Sequence, residues 1–478
     1  MMRRADASRS AGRALRVAAC AALALVLGAC SEEPGPPPNV LVITLDTVRA
    51  DRLGIYGAQR AGITPRLDAL ESESIVFEDA FANSSFTPPT HASIFTALYP
   101  AEHELMWWNR KLADVPTGAE SFRVAGYRTL AFTPLRTLFV LGLDRGFEQA
   151  LDVPYTIENE QLLLANADAI NAEAVPALTA RDNRPFFAWV HYYDAHRPYG
   201  RQGPEWSGRF TADDNPTVGD DEGWYQLTPE KRAEMGLTPE QTQLIKDHYD
   251  GGLAYLDDRV GKMLDALDEA GVLENTIVVL IADHGEVLDE HDEQWFAHDP
   301  YLVDENLHIP FLIRLPGGKH GGTRVSGLVS QVDVLPTLYE LAGVKALPPG
   351  RLSGSSLVPL IEGGGEPTQW VYSERQGDDR DGKASDRRYA VRSKDRKLTM
   401  HEDDKRTVLT AVDGSTPESV NLSEQEQDTV IRMSVNLGRW AGALRRPGAE
   451  GGGDVDSELE QMLIELGYID GQKPGGDG

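Results

Sequence analysis

Two continuous apolar runs constrain the fold of this chain more than any other feature of its sequence. Val40–Thr44 and Ile277–Ile281 consist of aliphatic and β-branched residues, without alternating polar positions. Runs of this kind are typical of parallel strands that helices cover on both faces of the sheet. The two runs therefore predict an α/β fold built on a mostly parallel sheet.

Polar residues that can bind a metal ion follow both predicted strands. Asp46 lies two residues beyond the first run, and Asp283 lies two residues beyond the second and is followed by His284. Open α/β sheets bind ligands outside the carboxyl ends of their strands, so these side chains are expected to meet at one site. Together with the hydroxyl of Thr87 they predict a metal site with a built-in nucleophile, which suits hydrolysis or transfer of an anionic ester.

Five segments resemble, in the same order, motifs of the sulfatase branch of the alkaline phosphatase superfamily. The resemblance runs from about Asn39 to Leu422. It implies an α/β fold with a large mixed, mostly parallel sheet flanked by helices, and a small C-terminal α+β subdomain with an antiparallel sheet. The matching segments are Leu45–Gly57, Thr87–Pro100, Tyr193–Tyr199, Asp283–Glu286 and Val371–Arg375.

The first 29 residues have the features of a lipoprotein signal peptide. Five arginines precede an apolar stretch, Val17–Leu27, that is too short to span a membrane as a stable helix. The stretch ends in Leu27-Gly28-Ala29-Cys30, which resembles a bacterial lipoprotein signal and predicts that Cys30 becomes the lipidated first residue. An ordinary signal peptide, cut near Ala29, is the alternative. We expect a protein of the bacterial cell envelope, lipid-anchored at the outer membrane or the periplasmic face.

The composition of the remaining chain predicts a tether, a catalytic domain, a C-terminal subdomain and a tail. A proline-rich tether at 30–38 precedes the predicted catalytic domain at 39–346. Pro- and Gly-rich loops and short alternating runs predict the C-terminal subdomain at 347–445, and a glycine-rich tail with a short helix is expected at 446–478. Residues 200–238 are polar and lack a period, which indicates an irregular insertion near the site.

The net charge limits the kinds of partner that this chain can bind, and the positions of the cysteines limit its disulfides. A net charge of −29 opposes broad binding to nucleic acid or to anionic membranes. An anionic substrate must therefore be captured locally, and we expect a small-molecule, glycan or lipid ester, with membrane contact through the lipid anchor only. The two cysteines are Cys20, in the predicted signal peptide, and Cys30, so the mature domain is expected to hold no disulfide.

Periodicity predicts the elements that carry the motifs. A long amphipathic helix from about Pro239 to Ala270 places one apolar stripe on Leu253, Leu256, Val260, Leu264 and Leu267. Shorter helices are predicted near 64–70, 90–98 and 332–341, and further strands near 127–132, 185–193 and 309–314.

Thr87 stands at the decisive position of the resemblance. Typical sulfatases have there a cysteine, sometimes a serine, that is oxidised to formylglycine, whose hydrated aldehyde attacks sulfur. Threonine cannot give an aldehyde by that route. A threonine alkoxide can attack phosphorus instead, as the related nucleotide pyrophosphatases and phosphoethanolamine transferases are thought to do. The alternative is that Thr87, which two prolines follow, only caps the next helix.

The resemblance implies Asp46, Thr87, Asp283 and His284 as ligands of one divalent metal ion. Typical members of the family have a second aspartate after the first, where this chain has Thr47. One nitrogen and few carboxylates favour zinc or manganese over an oxygen-rich calcium cage, with calcium and magnesium as alternatives. In a purely structural interpretation, Asp283 caps a strand and His284 belongs to a turn.

Three histidines and an arginine complete the candidate site by resemblance. His91 falls where typical sulfatases have an arginine beside the nucleophile, and it is expected to orient or deprotonate Thr87. His196 resembles the histidine that touches the ester oxygens, and His298 the residue that assists the leaving group. The family's Gly-Lys-Trp-His run is missing, so Arg136 is the substitute candidate for binding substrate. Each histidine also has an alternative as a buried structural residue.

These observations predict a metal-dependent ester hydrolase that uses Thr87 as its nucleophile. Its substrate is a sulfate ester or, favoured by the threonine, a phosphate or phosphonate ester. A first alternative is a phosphotransferase of the envelope, similar to the phosphoethanolamine and phosphoglycerol transferases. A second alternative is a sulfatase-fold binding protein without catalysis, which Thr47 and the missing lysine favour and the intact Asp46, Asp283 and His284 oppose.

Overall fold

A computed structural model describes most of the predicted domains. The described residues are 35–153, 156–158, 161–211, 228–291, 295–345, 352–376, 387–402, 406–416 and 418–444. The predicted signal peptide, Cys30 and the tail at 446–478 lie outside them, as do most of the tether and residues 212–227 of the predicted insertion. Residues up to Pro37 form one unit, and Pro38 opens the compact unit that contains every element below.

The strands of the described chain form two larger sheets and one short hairpin. In chain order they are β1 (Asn39–Leu45), β2 (Ile75–Phe81), β3 (Arg128–Thr133), β4 (Gln149–Asp152), β5 (Thr156–Glu158), β6 (Gln161–Leu163), β7 (Phe186–Tyr192), β8 (Thr276–Ala282), β9 (Phe311–Arg314), β10 (Thr323–Ser330), β11 (Val371–Arg375), β12 (Arg388–Arg392), β13 (Arg396–His401) and β14 (Thr407–Ala411).

The main sheet has eight described strands in the order β10-β2-β9-β8-β1-β7-β3-β4. Only β9 runs antiparallel to its neighbours among them, so the predicted mixed, mostly parallel sheet is confirmed. β1 lies at the centre, in register with β8 and β7: Leu45 pairs with Ala282 and with Tyr192. The carboxyl ends of these three strands therefore meet at one edge of the sheet.

The described chain contains thirteen α-helices, most of which lie around the main sheet. They are α1 (Pro65–Ala69), α2 (Thr87–Thr96), α3 (Pro100–His103), α4 (Gly118–Val124), α5 (Arg136–Leu138), α6 (Ala167–Thr179), α7 (Pro204–Ser207), α8 (Pro229–Met235), α9 (Pro239–Glu269), α10 (Asp304–Leu307), α11 (Val334–Ala342), α12 (Val358–Ile361) and α13 (Gln427–Ala443). In this part of the chain no helix is long and apolar enough to cross a membrane.

The long helix α9 confirms the predicted amphipathic helix almost residue by residue. The side chain of Thr238 accepts a hydrogen bond from the Gln241 amide, the Gln241 side chain accepts one from the Thr238 amide, and Pro239 occupies the first turn. This capping box and the N-terminal proline fix where the helix begins. Its predicted apolar stripe is buried against the core. Gly251 lets α7 pack closely, because a Cβ there would collide with the carbonyl oxygen of Trp206.

The predicted C-terminal antiparallel sheet is confirmed as well. Strands β11 to β14 pair in sequence order, each antiparallel to the next. Helix α13 covers this sheet with Met433, Leu437 and Trp440, which are buried in a small core of their own. The structure thus has a large mixed sheet and a small α+β layer in one compact unit.

Several elements were not predicted. Strands β4 and β10 lie at the two edges of the main sheet, where residues such as Gln149 and Arg324 are exposed and the apolar pattern is interrupted. β10 also contains a register shift between Val325 and Leu328, which breaks the alternation expected of a strand. Helix α2 begins at Thr87 rather than at Thr90, since Pro88 and Pro89 fit its first turn.

Candidate active site

The ends of β1 and β8 place two carboxylates and one imidazole side by side. Asp46 follows β1, and Asp283 and His284 follow β8, its neighbour in the sheet. All three side chains are fully buried. One ligand atom of each lies within 4.8 Å of the others, and Nε2 of His284 is 3.4 Å from Oδ2 of Asp283. The structure therefore brings together the three side chains that the sequence predicted as metal ligands.

The two carboxylates have too few hydrogen-bond donors for their burial. Within the described chain no donor makes a hydrogen bond of normal geometry to either oxygen of Asp46 or to Oδ2 of Asp283, although the nearby Thr87 hydroxyl interacts with Asp46. Burial raises the pKa of Asp46 to about 6 and the pKa of Asp283, which also faces Asp46, to about 7. Buried carboxylates without donors are costly unless a cation accompanies them. This donor set therefore fits a divalent metal ion.

Local geometry fixes the protonation of His284. Its Nδ1 lies 2.9 Å from the carbonyl oxygen of Gly285, which can only accept a hydrogen bond. Burial lowers the pKa of His284 to about 4, so the neutral ring carries its proton on Nδ1 and a lone pair on Nε2. Glycine is required at 285, because a Cβ there would collide with the carbonyl oxygen of Glu305.

Thr87 is the first residue of α2, and its side chain reaches this cluster. Its Oγ1 is 3.2 Å from Nε2 of His284, and since that nitrogen has a lone pair, the hydroxyl donates. The helix is buried along its whole length, and Thr87 itself is nearly inaccessible. The positive end of the helix dipole favours negative charge at this position. The predicted nucleophile and the predicted ligands therefore share one site.

His91 contacts Thr87 through the backbone. Its Nδ1 donates to the carbonyl oxygen of Thr87 at 2.8 Å, whereas no hydrogen bond in the described residues joins its ring to the Thr87 hydroxyl. Burial lowers the pKa of His91 to about 3, so the ring is neutral. The arrangement favours an orienting role for His91 over the predicted role as a base, since Nδ1 already holds a proton and Nε2 faces away toward Thr44.

His191 on β7 belongs to the site although the sequence analysis did not single it out. Thr44 accepts a hydrogen bond from Nε1 of Trp189 at 2.8 Å and lies 3.2 Å from Nε2 of His91 and 2.9 Å from Nδ1 of His191. Because neutral His91 must accept at Nε2, the single Thr44 proton goes there and Nδ1 of His191 donates to Thr44. The lone pair on Nε2 of His191 then faces Oδ2 of Asp46 at 3.4 Å, so His191 borders the carboxylate of Asp46.

His196 and His298 lie on the other side of His284. The rings of His284 and His298 are 4.7 Å apart between centroids, and those of His298 and His196 are 5.2 Å apart. Nδ1 of His196 donates to the carbonyl oxygen of Arg197 at 2.6 Å, and burial holds its pKa well below the usual value. Both histidines are therefore brought together with the predicted ligands.

Glu286 is a second residue that the sequence analysis missed. Its carboxylate is fully buried and lies 3.2 Å from Nδ1 of His298. Burial alone would lower the pKa of His298, but the Glu286 carboxylate outweighs it and raises this pKa above the usual value. The signal was available in the sequence, because Glu286 directly follows the Asp-His-Gly motif. His298 can therefore hold a proton at Nε2, on the side away from Glu286.

Arg136 is the one predicted site residue within the described catalytic residues for which no contact with this cluster is found. Its side chain is exposed at the start of α5, and its charge acts on Asp152 at the end of β4. In the described part of the chain, no hydrogen bond or ion pair joins Arg136 to the cluster. Its predicted role in substrate binding stays a prediction.

Thr47, the residue next to Asp46, contacts the site through its backbone. Its amide donates to Oδ1 of Asp283 at 3.2 Å, and its carbonyl oxygen accepts from the hydroxyl of Tyr249 at 2.7 Å. Thr47 has a φ of 55°, in the left-handed region that β-branched residues avoid. Strain of this kind persists where surrounding contacts hold it, and it concentrates at functional sites. The turn after β1 is therefore held by both Asp283 and Tyr249.

Comparison with known proteins identifies the family. The family model described as Sulfatase matches residues 38–344, and the model described as N-sulphoglucosamine sulphohydrolase, C-terminal, matches residues 290–436. The first match alone covers more than half of the chain and includes all the residues of the cluster.

Individual relatives agree with this match. The chain is 27% identical over 352 residues to an ulvan-active sulfatase of Formosa agariphila, covering 68% of this chain and 65% of that protein. It is 26% identical over 372 residues to a Δ4,5-hexuronate-2-O-sulfatase of Bacteroides thetaiotaomicron, covering 71% of this chain and 75% of that protein. A phosphonate monoester hydrolase of Agrobacterium radiobacter shares the fold, with a TM-score of 0.67, 20% identity and coverage of 88% of this chain and 100% of that chain. This chain belongs to the sulfatase family of ester hydrolases.

Proposed function

We propose that this protein is a metal-dependent hydrolase of phosphate or phosphonate esters that uses Thr87 as its nucleophile. The observation that carries the proposal is the position of the Thr87 hydroxyl, 3.2 Å from Nε2 of His284 and at the edge of the Asp46, Asp283 and His284 cluster. A hydroxyl at such a site is activated without any modification of the side chain.

Asp46, Asp283 and His284 would hold the ion, with Thr87 beside them. The ion would lower the pKa of the hydroxyl and offset the negative charge of the ester. One nitrogen with two carboxylates favours zinc or manganese over an oxygen-rich calcium cage. His284 is prepared for this role, because its Nδ1 proton is engaged by Gly285 and its Nε2 lone pair points into the site.

Hydrolysis then takes place in two displacements at phosphorus. The Thr87 hydroxyl would release its proton to solvent when the ion binds. Its oxygen then attacks phosphorus and forms a phosphothreonine, while the bond to the ester's alcohol oxygen breaks. The departing oxygen takes the proton from Nε2 of His298, and Glu286 stabilises the protonated ring before this transfer. Water then attacks phosphorus and returns a proton to His298 as the bond to Thr87 breaks.

Phosphorus is favoured over sulfur because of the second displacement. The formylglycine hydrate of typical sulfatases expels sulfate by elimination, through its second hydroxyl group. Thr87 has one hydroxyl, so a sulfothreonine would have to wait for attack by water. Relatives named for sulfatase activity and a structural relative named for phosphonate monoester hydrolysis share this fold, so the residue at 87 decides between the two chemistries in this proposal.

The proposal places the enzyme in the bacterial cell envelope. The sequence features at Val17–Cys30 support export and lipid attachment at Cys30. Two relatives are named for sulfatases of ulvan and of hexuronate units, which supports a glycan ester as the substrate, beside small-molecule and lipid esters.

The test is a substrate panel on metal-loaded protein. We expect p-nitrophenyl phosphate, methylphosphonate or phosphodiester substrates to be hydrolysed faster than p-nitrophenyl sulfate. Thr87→Ala should lower kcat by about 100-fold or more, and Thr87→Ser should keep a good part of it because the hydroxyl remains. Thr96→Ala is the matched control, since Thr96 is a buried threonine of the same helix whose hydroxyl donates to the Ala92 carbonyl oxygen.

Mass spectrometry completes this test. Thr87 should be unmodified in the resting protein, and a slow phosphate ester should trap a phosphoryl group on it. Full activity in Thr87→Ala would refute the covalent mechanism. A rate for sulfate esters far above that for phosphate esters would refute the preference for phosphorus.

A further inference from the structure

One arginine of the C-terminal sheet contacts the segment of His298 directly and is linked to the segment of Thr87 through two aromatic rings. Arg375 ends β11, the strand of the Val371–Arg375 motif. Its Nε and Nη2 donate to the two carboxylate oxygens of Asp299, each at 2.6 Å. Asp299 directly follows His298, so this two-pronged ion pair fixes the backbone next to the proposed acid. Both partners are largely buried, with side-chain exposures of 8% and 13%.

The same guanidinium reaches the nucleophile's segment through two aromatic rings. Its central carbon lies 5.6 Å from the centroid of the Trp107 ring. Trp107 stacks on Phe86, with ring centroids 4.2 Å apart and planes 17° apart. Phe86 directly precedes Thr87 and occupies the N-cap position of α2. Contact therefore continues from Arg375 to the residue before the proposed nucleophile.

We propose that Arg375 is a positioning residue that sets the distance between Thr87 and His298, so that the C-terminal sheet is a working part of the active site. This inference rests on the proposed roles of those two residues. A planar guanidinium can bind a carboxylate with two parallel hydrogen bonds while its face covers an aromatic ring. Lysine can do neither in this geometry, because its ammonium group is a single point of charge.

The geometry explains why such a residue is needed. Nucleophile and acid come from segments about 200 positions apart in the chain, and a displacement of about 1 Å between reacting groups can cost about 100-fold in rate. On its other side, the His298 carbonyl oxygen accepts a hydrogen bond from the Asn306 side chain. The Asp299 pair thus supplies the second fixed point of the loop that carries His298.

Arg392 provides a matched control. It lies on the neighbouring strand β12, and its side-chain exposure of 9% is close to that of Arg375. Its Nε and Nη2 donate to Oδ2 of Asp304 at 3.2 and 3.0 Å, and its guanidinium lies 4.1 Å from the Phe81 ring centroid. It therefore makes the same kinds of contact in the same sheet, but its partners are not adjacent to Thr87 or His298.

The experiment compares Arg375→Ala, Arg375→Lys, Asp299→Asn and Arg392→Ala in the full-length, metal-loaded protein. For Arg375→Ala we expect kcat to fall by about 10- to 100-fold with KM within about threefold of wild type. Arg375→Lys and Asp299→Asn should fall in between. Arg392→Ala should lower Tm by a similar amount and keep kcat. If Arg375→Ala does not fold, the kcat values of Arg375→Lys and Asp299→Asn decide whether Arg375 is a positioning residue. Equal kcat in the Arg375 and Arg392 variants, or an Arg375→Lys variant as active as wild type, would overturn the inference.

Hydrogen exchange separates this inference from the proposed function. Peptides that cover 86–91 and 295–299 should exchange faster in Arg375→Ala than in Arg392→Ala, whatever the substrate. If the wild type hydrolyses no ester of the panel, the proposed function fails, and the exchange data alone decide whether Arg375 positions the two segments. Unchanged exchange in both segments would overturn it.

Discussion

Acidification should weaken metal binding at this site steeply, because protons and the ion compete for the same two carboxylates. Asp283 and Asp46 have pKa values raised to about 7 and about 6 in the metal-free site, mainly by burial. A carboxyl group with a raised pKa holds its proton until the pH rises above that value. Below pH 7 the ion must therefore displace a proton from Asp283, and below pH 6 one from Asp46 as well.

The size of the effect follows from these two values. Between pH 8 and pH 6 the apparent affinity for zinc or manganese should fall about 20-fold through the carboxyl groups. With ordinary carboxyl pKa values it would hardly change over this range. His284 adds nothing above pH 5, since its pKa is lowered to about 4. At pH 7 the carboxyl groups should release about 0.6 protons for each ion bound.

Titration calorimetry in buffers with different ionisation enthalpies measures both quantities. The Thr87→Ala variant is the suitable background, because ionisation of the hydroxyl would add a proton of its own. In that background, Asp283→Asn should reduce the dependence to about twofold, the share of Asp46. Asp333→Asn is the matched control, since burial raises the pKa of Asp333 to about 6 as well and its carboxylate accepts from Ser330 and Ser355 away from the site. An affinity that stays flat between pH 8 and pH 6 would refute the reasoning.

Three further predictions concern the acid, the anchor and the core. His298→Gln should slow the hydrolysis of esters of weakly acidic alcohols about 100-fold, and that of p-nitrophenyl esters far less. In the wild type, kcat for esters of weakly acidic alcohols should fall as the pH rises through the raised pKa of His298. Equal losses on both kinds of ester would contradict this role. Cys30→Ala should move the protein out of the membrane fraction or block its maturation, and unchanged partitioning would exclude Cys30 as the anchor. Leu256→Ala, at a core position only 1% exposed, should cost about 2–5 kcal/mol in urea unfolding, and a loss below about 1 kcal/mol would show that the stripe of α9 is not tightly packed.

The sequence predicted the centre of the fold better than its edges for a physical reason. A central strand is covered on both faces, so its residues are uniformly apolar, as in β1 and β8. Edge strands such as β4 meet solvent and carry no such run. The ends of the central strands were therefore predictable, and so were Asp46 and Asp283.

The missed site residues show what a single sequence lacks. His191 lies in a strand that is buried at every position, so no alternation indicates which side chains face the site. Only the pairing of Thr44 with His191 across two strands reveals its place, and strand order cannot be derived from local patterns. His91 was predicted from the sequence and lies beside Thr87 in the structure, but only its hydrogen bond to the Thr87 carbonyl oxygen indicates which nitrogen of its ring contacts that residue.

The central position of β1 has a consequence for how the domain folds. Thr44 in β1 contacts His191 in β7 across 147 residues, and Thr47, just after β1, contacts Asp283, just after β8, across 236 residues. Contacts of such long range are slow to form, because a large loop must close, at a cost in chain entropy, before the pairing can stabilise the chain. Among the described strands β1 is synthesised first, and its second partner, β8, follows only after about half the length of the chain. An ion that binds to residues after both β1 and β8 can recognise only the completed sheet, so it should protect the whole domain from proteolysis rather than one loop.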